Sequence, residues 1–445
     1  MLKTFRIGGI HPPENKLSAN IPIEVLAPVD GSLVVIPVSQ HIGAPAQVVV
    51  KKGDTVKVGS LIAQSAGFVS AHIHSSVSGT VQKIEETLDS SGFKRTAVFI
   101  KVAGDEWEAQ IDRSGTLNAE ITLNAAEILA KIQGAGIVGL GGATFPAHVK
   151  LNPPKGMLAE VLLLNGVECE PYLTADHRLM LERTDEMLVG VKILMLALGV
   201  TKAVIGVENN KKDAIALIES KLSAFPGVSV QPLKVKYPQG GEKQLIKAVI
   251  GREVPSGALP IAVGAVVHNV ATALAVYEAV QKNKPLVERI VTVTGKSVPR
   301  PGNFQVRVGT PLNSLLTLVG GLPDDTGKII SGGPMMGKAL TSLDVPMAKG
   351  TSGVLILPAT ESGRKEMKPC IRCAKCVSVC PMGLEPFLLM SATQKRIWDR
   401  TEAERVMDCI ECGSCSYTCP ADRPLLDYIR LGKTTVGKII RSRKN

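Results

Sequence analysis

The chain has 445 residues, of which 45% are hydrophobic, 20% charged and only 3% aromatic, and its formal net charge is +11. Domains usually contain roughly 100 to 200 residues, so this length excludes a single core and predicts several domains. The balance of hydrophobic and charged residues is that of folded domains and argues against disorder. The scarcity of aromatic residues argues against a single-stranded nucleic-acid platform, on which bases stack against exposed rings.

The segment from about Leu26 to Val102 is rich in Val, Ile and Gly, and glycine turns separate its short β runs. This pattern predicts an all-β unit. Two of its pieces, residues 50–59 and 78–81, resemble the two halves of a biotinyl or lipoyl carrier domain, but the hairpin between them has no lysine to acylate. We therefore expect a scaffold and not a carrier. His72 and His74 share one face of a strand, where they suit a metal ion or ordinary packing.

The central region, from about Asn118 to Lys284, alternates helical patterns with short apolar runs. That alternation predicts an α/β domain with a mainly parallel sheet. Within it, Gly257 to Tyr277 has no Asp, Glu, Lys or Arg over about the length of a bilayer span. Proline, glycine and histidine interrupt the stretch, so we interpret it as a buried strand leading into a helix. Residues from Val287 to about Leu357 return to β character, and the pattern is helical from Glu366 onward.

Eight of the nine cysteines fall between residues 370 and 419. In a reducing compartment such clustering indicates metal ligands rather than disulfides. The runs are Cys370-x2-Cys373-x2-Cys376-x3-Cys380-Pro381 and Cys409-x2-Cys412-x2-Cys415-x3-Cys419-Pro420. Both have two-cluster ferredoxin spacing, in which the fourth cysteine of each run binds the cluster held by the other run. Cluster one is thus predicted to use Cys370, Cys373, Cys376 and Cys419, and cluster two Cys409, Cys412, Cys415 and Cys380.

Structural zinc is the alternative for these cysteines, and two complete runs that each end in Cys-Pro argue against it. The 28 residues between the runs exceed what a minimal ferredoxin needs. Glu385 to Arg396 and Glu402 to Met407 have helical patterns, so we predict a helical ferredoxin module.

Both ends of the chain carry a signal about location. The first residues contain no apolar core of a signal peptide, which predicts a cytoplasmic protein. The last residues are basic, and we interpret them either as a contact for an anionic membrane surface or acidic partner, or as a frayed, solvated end. These basic residues are Lys433, Lys438, Arg441, Arg443 and Lys444.

A glycine-rich loop runs from Gly134 to Lys150. Glycines at this density let backbone amides approach a phosphate, and a lysine beyond the loop adds positive charge, although an ordinary turn is the alternative. The loop resembles the FMN-binding loop of the NADH-oxidising flavoprotein subunit of respiratory complex I, with Leu140 in place of an arginine. The shared residues are Gly139, Gly141, Gly142, Ala143, Phe145, Pro146 and Lys150.

Three further segments resemble flavin and nucleotide contacts of that flavoprotein. They are residues 165–171, residues 237–242 and residues 267–270, the last with His268 where an asparagine is usual. The resemblance implies cofactor-binding roles for Asn165, Glu168, Glu170, Tyr237, Gly240, Glu242 and Asn269. Cys169, the ninth cysteine, is interpreted as a buried structural thiol.

In combination, these features make nearly the whole chain similar to the RnfC family, which belongs to the ion-translocating ferredoxin:NAD oxidoreductase (Rnf) complexes. The motifs that carry the resemblance are Gly8 to Glu14, Gln40 to Pro45, the loop with Leu140, Tyr237 to Glu242 and the two cysteine runs. The resemblance implies a multidomain α/β protein. Its expected parts are an N-terminal arm plus lipoyl-like β barrel-sandwich (1–115), a Rossmann-like FMN/NADH domain (116–285), a β-grasp domain of the soluble-ligand-binding type (286–358) and a helical two-cluster 4Fe-4S ferredoxin domain with a basic tail (359–445).

The function implied by this resemblance is electron exchange between NADH and ferredoxin through FMN and two 4Fe-4S clusters, with Na⁺ or H⁺ transport by partner subunits. The expected partners include a ferredoxin-like iron-sulfur subunit, and the expected place is the cytoplasmic face of the bacterial inner membrane. No general acid or base is required. Two alternatives remain open: a cobalamin reductase of a propanediol-type microcompartment, and an iron-sulfur relay subunit that binds no flavin.

Overall fold

The structure, a computed structural model, describes residues 2–443. Its first strands are β1 (Ile23–Val25), β2 (Leu33–Pro37), β3 (Gln47–Val48), β4 (Thr55–Val56), β5 (Leu61–Gln64), β6 (Ile73–His74), β7 (Gly79–Leu88) and β8 (Lys94–Val102). Strands β2 to β8 form two small sheets, in the orders β2-β8-β7-β4 and β3-β5-β6, and their strand pairs are antiparallel. Aliphatic side chains such as Ile36, Ile62 and Ile100 are fully buried between the sheets. The predicted all-β unit is therefore confirmed.

The central region is an α/β domain. Its elements are α1 (Ala125–Gly134), α2 (Ala147–Lys150), β9 (Val161–Asn165), α3 (Ala175–Glu182), α4 (Thr184–Leu198), β10 (Ala203–Glu208), α5 (Lys212–Lys221), β11 (Val228–Leu233), α6 (Glu242–Ile250), β12 (Ala265–Asn269) and α7 (Val270–Lys282), with 3₁₀ turns at Leu222–Ala224 and Pro260–Val263. The sheet is parallel throughout. Leu162 and Leu164 belong to the core that contains residues of α1, α4 and α7, while Val161 and Leu163 pack with residues of α6 on the other face.

The strand order of this sheet is β11-β10-β9-β12. The chain adds β10 and β11 on one side of β9 and then places β12 on the other side. Such a reversal opens a crevice at the carboxyl ends of the strands, where α/β sheets bind ligands. Asn165 and Asn269, the last residues of β9 and β12, are paired in register at this crevice.

The apolar stretch Gly257 to Tyr277 contains the turn at Pro260–Val263, then β12, and then most of α7. The interpretation as a buried strand that leads into a helix is confirmed. Across residues 2–443, none of the helices combines the length and the apolar character that a membrane crossing requires.

The region after α7 is the predicted β-rich insert. It contains β13 (Glu288–Thr294), β14 (Gly302–Arg307), α8 (Leu312–Leu318), β15 (Thr326–Ser331), β16 (Lys338–Ala339), β17 (Gly353–Pro358) and α9 (Ala359–Ser362). The sheet order is β1-β14-β13-β17-β15-β16, so its edge strand β1 comes from the N-terminal arm and pairs in parallel with β14. The arm also bridges the α/β domain through Lys3 with Leu233 and Ile10 with Tyr237. The arm therefore packs on the later domains, whereas the expected domain division groups it with the sandwich.

The last domain is helical. Its elements are α10 (Lys375–Ser378), α11 (Pro386–Gln394), α12 (Trp398–Ala403), a 3₁₀ turn at Val406–Asp408, α13 (Ser414–Tyr417) and α14 (Leu425–Ser442). The predicted helix over Glu402 to Met407 is wrong, because α12 ends at Ala403 and Arg405 adopts a left-handed φ of 58°. Helix α14 packs against α11 and α12.

The basic residues of the C-terminal region are mostly part of α14. Lys433 donates to the carbonyl of Cys409 at 2.6 Å, and Arg443 pairs with Glu402 at 2.8 Å. The chain is helical to Ser442, so a frayed end is wrong for Lys433, Lys438 and Arg441, although Lys438, Arg441 and Arg443 are exposed to solvent. Lys444 lies outside the described residues.

Candidate functional site

The glycine loop stands at the carboxyl edge of the parallel sheet. The Gly139 amide donates to the Phe145 carbonyl at 2.9 Å and closes the loop, whose residues 141–143 are exposed. A Cβ atom at Gly141 would lie 2.7 Å from Nδ2 of Asn269, so only glycine permits this approach of the loop to the end of β12. The loop thus presents exposed residues, two of them glycines, beside the crevice, and glycines let a phosphate approach the backbone amides.

Leu140, which replaces the arginine of the resembled loop, points into the core and is only 4% exposed. Its amide donates to Oγ1 of Thr272 at 3.0 Å, and its carbonyl accepts from Nη2 of Arg289 at 3.2 Å. Arg289 is buried, which lowers the pKa of its guanidinium to about 10, while nearby Asp176 acts in the opposite direction. The buried Leu140 side chain anchors the loop to the core, and Arg289 places a positive charge next to the buried side of the loop.

The residues at the ends of β9 and β12 form one hydrogen-bonded network. Nδ2 of Asn165 donates to the carbonyl of Gly240 at 2.8 Å. Nδ2 of Asn269 donates to Asp176 at 2.7 Å, and its Oδ1 caps α7 by accepting from the amide of Ala271 at 2.8 Å. Burial, followed by the charge of Glu168, raises the pKa of Asp176 to about 6. The two asparagines therefore fix the rim of the crevice.

Glu168 caps a helix in this structure. Its two carboxylate oxygens accept from the amides of Asp176 at 2.8 Å and His177 at 3.2 Å, at the start of α3. Lys16 of the N-terminal arm donates to the carbonyls of Glu168, Glu170 and Leu173 at 2.8, 2.9 and 2.6 Å. Burial lowers the pKa of Lys16 to about 8. The side chain of Lys16 therefore holds the whole 168–173 loop in place.

Lys150 and Glu242 meet at the far end of the glycine loop, where their charged atoms are 2.5 Å apart. Both side chains are partly exposed. His268 lies buried nearby, and burial together with the charge of Lys150 lowers its pKa to about 3. The imidazole is therefore neutral near pH 7, and Lys150 supplies the positive charge here.

Glu170 and Tyr237 lie where three domains meet. The Glu170 carboxylate accepts from the amides of Met335 at 3.1 Å and Met336 at 2.8 Å, in the β-rich insert. Burial raises the pKa of Glu170 to about 7. The buried Tyr237 hydroxyl donates to the carbonyl of Cys412 at 2.8 Å. These two residues connect the α/β domain to the insert and to the second cysteine run.

Cys169 is partly buried beside the same network. Its Sγ accepts from the amide of Gly240 at 3.3 Å. Burial raises the pKa of this thiol far above its ordinary value. Cys169 therefore stays protonated, as a structural thiol does.

Four cysteines line one cavity in the C-terminal domain: Cys380, Cys409, Cys412 and Cys415. Three come from the second run and one is the fourth cysteine of the first, which is the crossed grouping of a two-cluster ferredoxin. Burial raises the pKa of Cys409 to about 11, against a hydrogen bond from the amide of Glu411, and burial together with the nearby Cys409 raises the pKa of Cys415 to about 12. Buried thiolates are thus unfavourable here without a compensating metal, and iron binds cysteine as thiolate.

The remaining ligand candidates lie nearer the surface. Cys370 and Cys373 are exposed, and Cys376 and Cys419 are partly buried. Burial is the main cause that raises the pKa of Cys376, and the nearby Cys419 thiol raises it further. Cys419, the fourth cysteine of the second run, therefore lies close to the first run. Among residues 2–443, no group of three or more His, Cys, Asp or Glu side chains is arranged to hold a single metal ion. Sulfurs arranged around a cavity fit a multi-iron cluster better than one zinc ion.

His72 and His74 do not form a metal site with other side chains among the described residues. Their ring centroids are 6.3 Å apart, and only His74 belongs to a strand. Burial lowers the pKa of His74 to about 3. Of the two interpretations, packing is the one that fits His74.

Sequence reasoning does not find Lys16, Asp176 and Arg289. Lys16 follows the Gly8 to Glu14 motif by two residues, and Arg289 immediately precedes the apolar run that opens the insert. These are weak signals, because Lys16 and Arg289 each act on a segment more than a hundred residues away.

Family models match four parts of the chain. The matches are the RnfC barrel sandwich hybrid domain at residues 3–105, the Nuo51 FMN-binding domain at 132–278, the SLBB domain at 290–339 and the 4Fe-4S dicluster domain at 363–420.

Curated relatives match almost the whole chain. The C subunit of a "Proton-translocating ferredoxin:NAD(+) oxidoreductase complex" from Clostridium ljungdahlii is 48% identical over 439 residues, which cover 98% of this chain and 94% of the relative. The C subunit of a "Na(+)-translocating ferredoxin:NAD(+) oxidoreductase complex" from Acetobacterium woodii is 45% identical, with 97% of each chain covered. The C subunit of an "Ion-translocating oxidoreductase complex" from Rhodobacter capsulatus is 41% identical over 87% of this chain and 75% of the relative.

Among solved structures, an NAD⁺-reducing [NiFe]-hydrogenase in the H₂-reduced state matches with a TM-score of 0.51 and 19% sequence identity. The match covers 70% of this chain and 63% of the hydrogenase chain. At this identity the similarity concerns the fold alone.

Proposed function

This chain belongs to the RnfC family, the C subunits of ion-translocating ferredoxin:NAD oxidoreductase complexes, and from that premise we propose that it is the peripheral electron-input subunit of such a complex. It exchanges electrons between NADH and a ferredoxin-like partner, and partner subunits transport Na⁺ or H⁺. The observation that carries the proposal is the hydrogen bond from Tyr237 to the carbonyl of Cys412, since it joins the α/β domain directly to a cysteine run.

FMN is proposed to bind in the crevice at the ends of β9 and β12. The exposed loop amides at Gly141 and Gly142 face the phosphate, and Lys150 adds a positive charge. Phe145 covers a flat side of the ligand, because half-buried rings offer a stacking face. The remaining contacts proposed for FMN and NADH are Gly139, Asn165, Glu168, Glu170, Tyr237, Gly240, Glu242 and Asn269.

Bound flavin and iron-sulfur clusters supply the redox chemistry, because flavin links the two-electron chemistry of NADH to the one-electron chemistry of the clusters. The protein residues position these groups. Glu168 fixes α3, Lys16 fixes the 168–173 loop, and Asn269 fixes the end of β12. With these groups already hydrogen-bonded, the crevice needs no reorganisation when the ligand enters. No residue is required as a general acid or base.

Two 4Fe-4S clusters are proposed for the eight cysteines of the C-terminal domain. One is held by Cys380, Cys409, Cys412 and Cys415, which line a common cavity. The other is held by Cys370, Cys373, Cys376 and Cys419. The position of Tyr237 against Cys412 supports the first of these as the one nearer the α/β domain.

The finer architecture also forms part of the proposal. We assign residues 1–115 to the arm and a biotinyl/lipoyl-like sandwich, 116–285 to a Rossmann-like domain, 286–358 to a β-grasp domain and 359–445 to a helical ferredoxin domain. The protein lies at the cytoplasmic face of the bacterial inner membrane, held there by its partner subunits.

Anaerobic purification followed by iron, sulfide and flavin determination tests this function. We expect about eight irons, as two 4Fe-4S clusters require, one FMN, and bleaching of the flavin and cluster absorption on addition of NADH. If iron is present but the protein neither holds added FMN nor responds to NADH, the chain is an iron-sulfur relay subunit instead.

A pair of glycine variants locates the flavin. Gly141→Ala places a Cβ 2.7 Å from Asn269 and should displace the loop, so that FMN is lost while iron is retained. Gly134→Ala is the control, because a Cβ at that position meets nothing within 4 Å. Equal FMN content in both variants would place the flavin elsewhere.

A further inference from the structure

The glycine loop is supported by the β-rich insert, which lies outside the segment that matches the Nuo51 FMN-binding domain. Nζ of Lys349 donates to the carbonyl of Gly136 at 2.7 Å. Nη2 of Arg289 donates to the carbonyl of Leu140 at 3.2 Å. Two cations of the insert, Arg289 and Lys349, thus hold the segment that leads into the exposed residues 141–143. We name these two side chains the insert cations.

Two glycines allow the insert and the loop to come this close. Gly136 has a left-handed φ of 62°, and a Cβ atom there would lie 2.9 Å from Nζ of Lys349. A Cβ atom at Gly350 would lie 2.5 Å from Cγ2 of Thr144, on the other side of the exposed residues. Any larger residue at either position would push the insert and the loop apart. The insert therefore contacts the loop both before and after residues 141–143.

Both insert cations are buried, and neither forms a salt bridge with a residue between 2 and 443. Lys349 is 1% exposed and Arg289 is 5% exposed. The hydrogen bonds of their side chains all go to backbone carbonyls. These carbonyls belong to His72 and Gly136 for Lys349, and to Thr351 and Leu140 for Arg289. A buried charge without a direct counter-charge is costly, so this arrangement calls for an anion.

Lys284, just before the insert, shows what a counter-charge does at similar burial. Glu278 and Glu288 lie 3.1 Å and 2.5 Å from its Nζ. Burial lowers the pKa of Lys284, but these two carboxylates outweigh burial and raise it above its ordinary value. No carboxylate does so for Lys349, and burial lowers the pKa of Lys349 to about 7. An anion bound on the loop would provide the counter-charge that Lys349 lacks.

We propose that Arg289 and Lys349 make the glycine loop selective for a ligand that ends in a phosphomonoester, so that FMN binds in preference to riboflavin. The inference rests on the proposed function and deepens it, because it assigns the choice of flavin to residues of the insert. A phosphomonoester carries a charge of about −1.5 to −2 near pH 7, whereas riboflavin is neutral. The insert cations donate to the loop's carbonyls, so they are positioning residues that also raise the positive potential at the loop.

The test uses the full chain with its iron-sulfur clusters, stripped of flavin, and FMN and riboflavin as the probes. Quenching of flavin fluorescence at about pH 7 gives the two dissociation constants. We expect the wild type to bind FMN at least about a hundredfold more tightly than riboflavin, because only FMN brings charge to the loop. Equal affinity for the two flavins would overturn the proposal and leave the proposed function intact.

Variants of the insert cations separate charge from support of the loop. Arg289→Gln and Lys349→Gln each keep a hydrogen-bond donor but remove the charge, and each should lower the preference for FMN roughly tenfold. Arg289→Lys keeps the charge and should retain the preference within about threefold. The control is Arg300→Gln in the same insert, since Arg300 is 61% exposed and solvent screens its charge. This control should leave both affinities unchanged.

A purely structural role gives a different result. If the insert cations only support the loop, the glutamine variants weaken FMN and riboflavin by the same factor, and the proposal fails. The two positions are changed separately, so a variant that does not fold leaves the other to decide.

If the wild type binds neither flavin, the proposed function fails, and inorganic phosphate becomes the probe. Phosphate should then raise the melting temperature of the wild type more than that of the glutamine variants, because a ligand stabilises the folded state that binds it. Equal shifts in the wild type and the variants would overturn the inference as well.

Discussion

The two cysteine runs have the same spacing and end in the same Cys-Pro pair, but the fold gives them opposite surroundings. The first begins with exposed cysteines in a basic segment, whereas Cys412 and Cys415 of the second are buried in a segment that carries Asp408 and Glu411. The second run contacts Tyr237, and the first faces solvent. The spacing therefore predicts the ligand chemistry, and the surroundings define which run faces the α/β domain and which begins at the solvent-exposed surface.

Burial also distinguishes the two runs electrostatically. Desolvation raises the pKa of Cys415 to about 12 and that of Cys409 to about 11, because it disfavours a buried thiolate. Solvent exposure and hydrogen bonds to the sulfurs are among the factors that set cluster potentials. The two proposed clusters, although their predicted ligands are all cysteines, are therefore expected to differ in potential.

The largest expected effect comes from removing one ligand of each run. Cys412→Ala and Cys373→Ala should each remove roughly half of the iron, since each run contributes three of the four ligands of one cluster. NADH should still bleach the remaining cluster in Cys373→Ala but not in Cys412→Ala, because the buried run lies against Tyr237. Stopped-flow absorbance with matched iron assays measures this, and equal bleaching in both variants contradicts the assigned order.

A pH effect is expected at the junction next to the second run. The pKa of Glu170 in the folded protein, about 7, lies above the ordinary value of 4.5. The folded protein therefore keeps this proton where the unfolded chain loses it, and its stabilising contribution falls as pH rises from about 4.5 to 7. Glu170→Gln lacks this part of the pH dependence.

Thermal unfolding of both proteins between about pH 5 and 8 measures the difference. The stability of the wild type relative to Glu170→Gln should fall with rising pH by on the order of 1–3 kcal/mol and then level off above about pH 7. A difference that is constant over this range would show that Glu170 is not protonated in the folded protein.

The hydroxyl of Tyr237 provides a smaller and more local test. Tyr237→Phe removes the donor to the Cys412 carbonyl and should cost about 1 kcal/mol of stability, because a buried carbonyl is left without a partner. NADH-driven reduction of the clusters should slow as the junction loosens. Tyr417→Phe is the matched control within the second run, since Tyr417 is 53% exposed. If the two variants show the same melting temperature and the same reduction kinetics, the contact between Tyr237 and Cys412 contributes neither to stability nor to cluster reduction.

The smallest effect is expected at Glu411. This carboxylate pairs with Arg430 and Lys433, each at 3.1 Å, on partly exposed side chains. Glu411→Gln should therefore change the melting stability of the domain by less than about 1 kcal/mol, as surface ion pairs do. A larger loss of stability would mean that the ion pairs of Glu411 are needed to keep the domain folded.

Much of the fold is predictable because it depends on local patterns. Short β runs rich in Val and Ile, separated by glycine turns, predict the all-β unit, and the interruptions in the charge-free stretch that ends in Tyr277 predict a strand and a helix despite its hydrophobicity. The helix expected over Glu402–Met407 is absent because a left-handed residue at Arg405 interrupts it, and periodicity alone does not reveal such a turn.

The site is only partly predictable. The glycine loop can be recognised from its composition. The need for glycine at position 141 cannot, because it arises from the close approach of Asn269, which ends a strand more than a hundred residues later. Lys16 and Arg289 act in the same way on distant carbonyls, so nothing in their immediate sequence indicates a role. The cofactor contacts assigned to Glu168 and Glu170 remain predictions, and the structure adds a helix cap for one and a domain junction for the other.

The sequence by itself determined which ligands are predicted for each cluster, because the spacing of cysteines within a short loop restricts which sulfurs can reach one cluster. It also determined the order of the domains along the chain. Only the tertiary structure decided which run is buried, which edge of the sheet faces it, and that strand β1 of the arm completes a sheet formed by residues far later in the chain. Burial and charge compensation depend on elements that are distant in sequence, and these long-range contacts form only when the whole chain is folded.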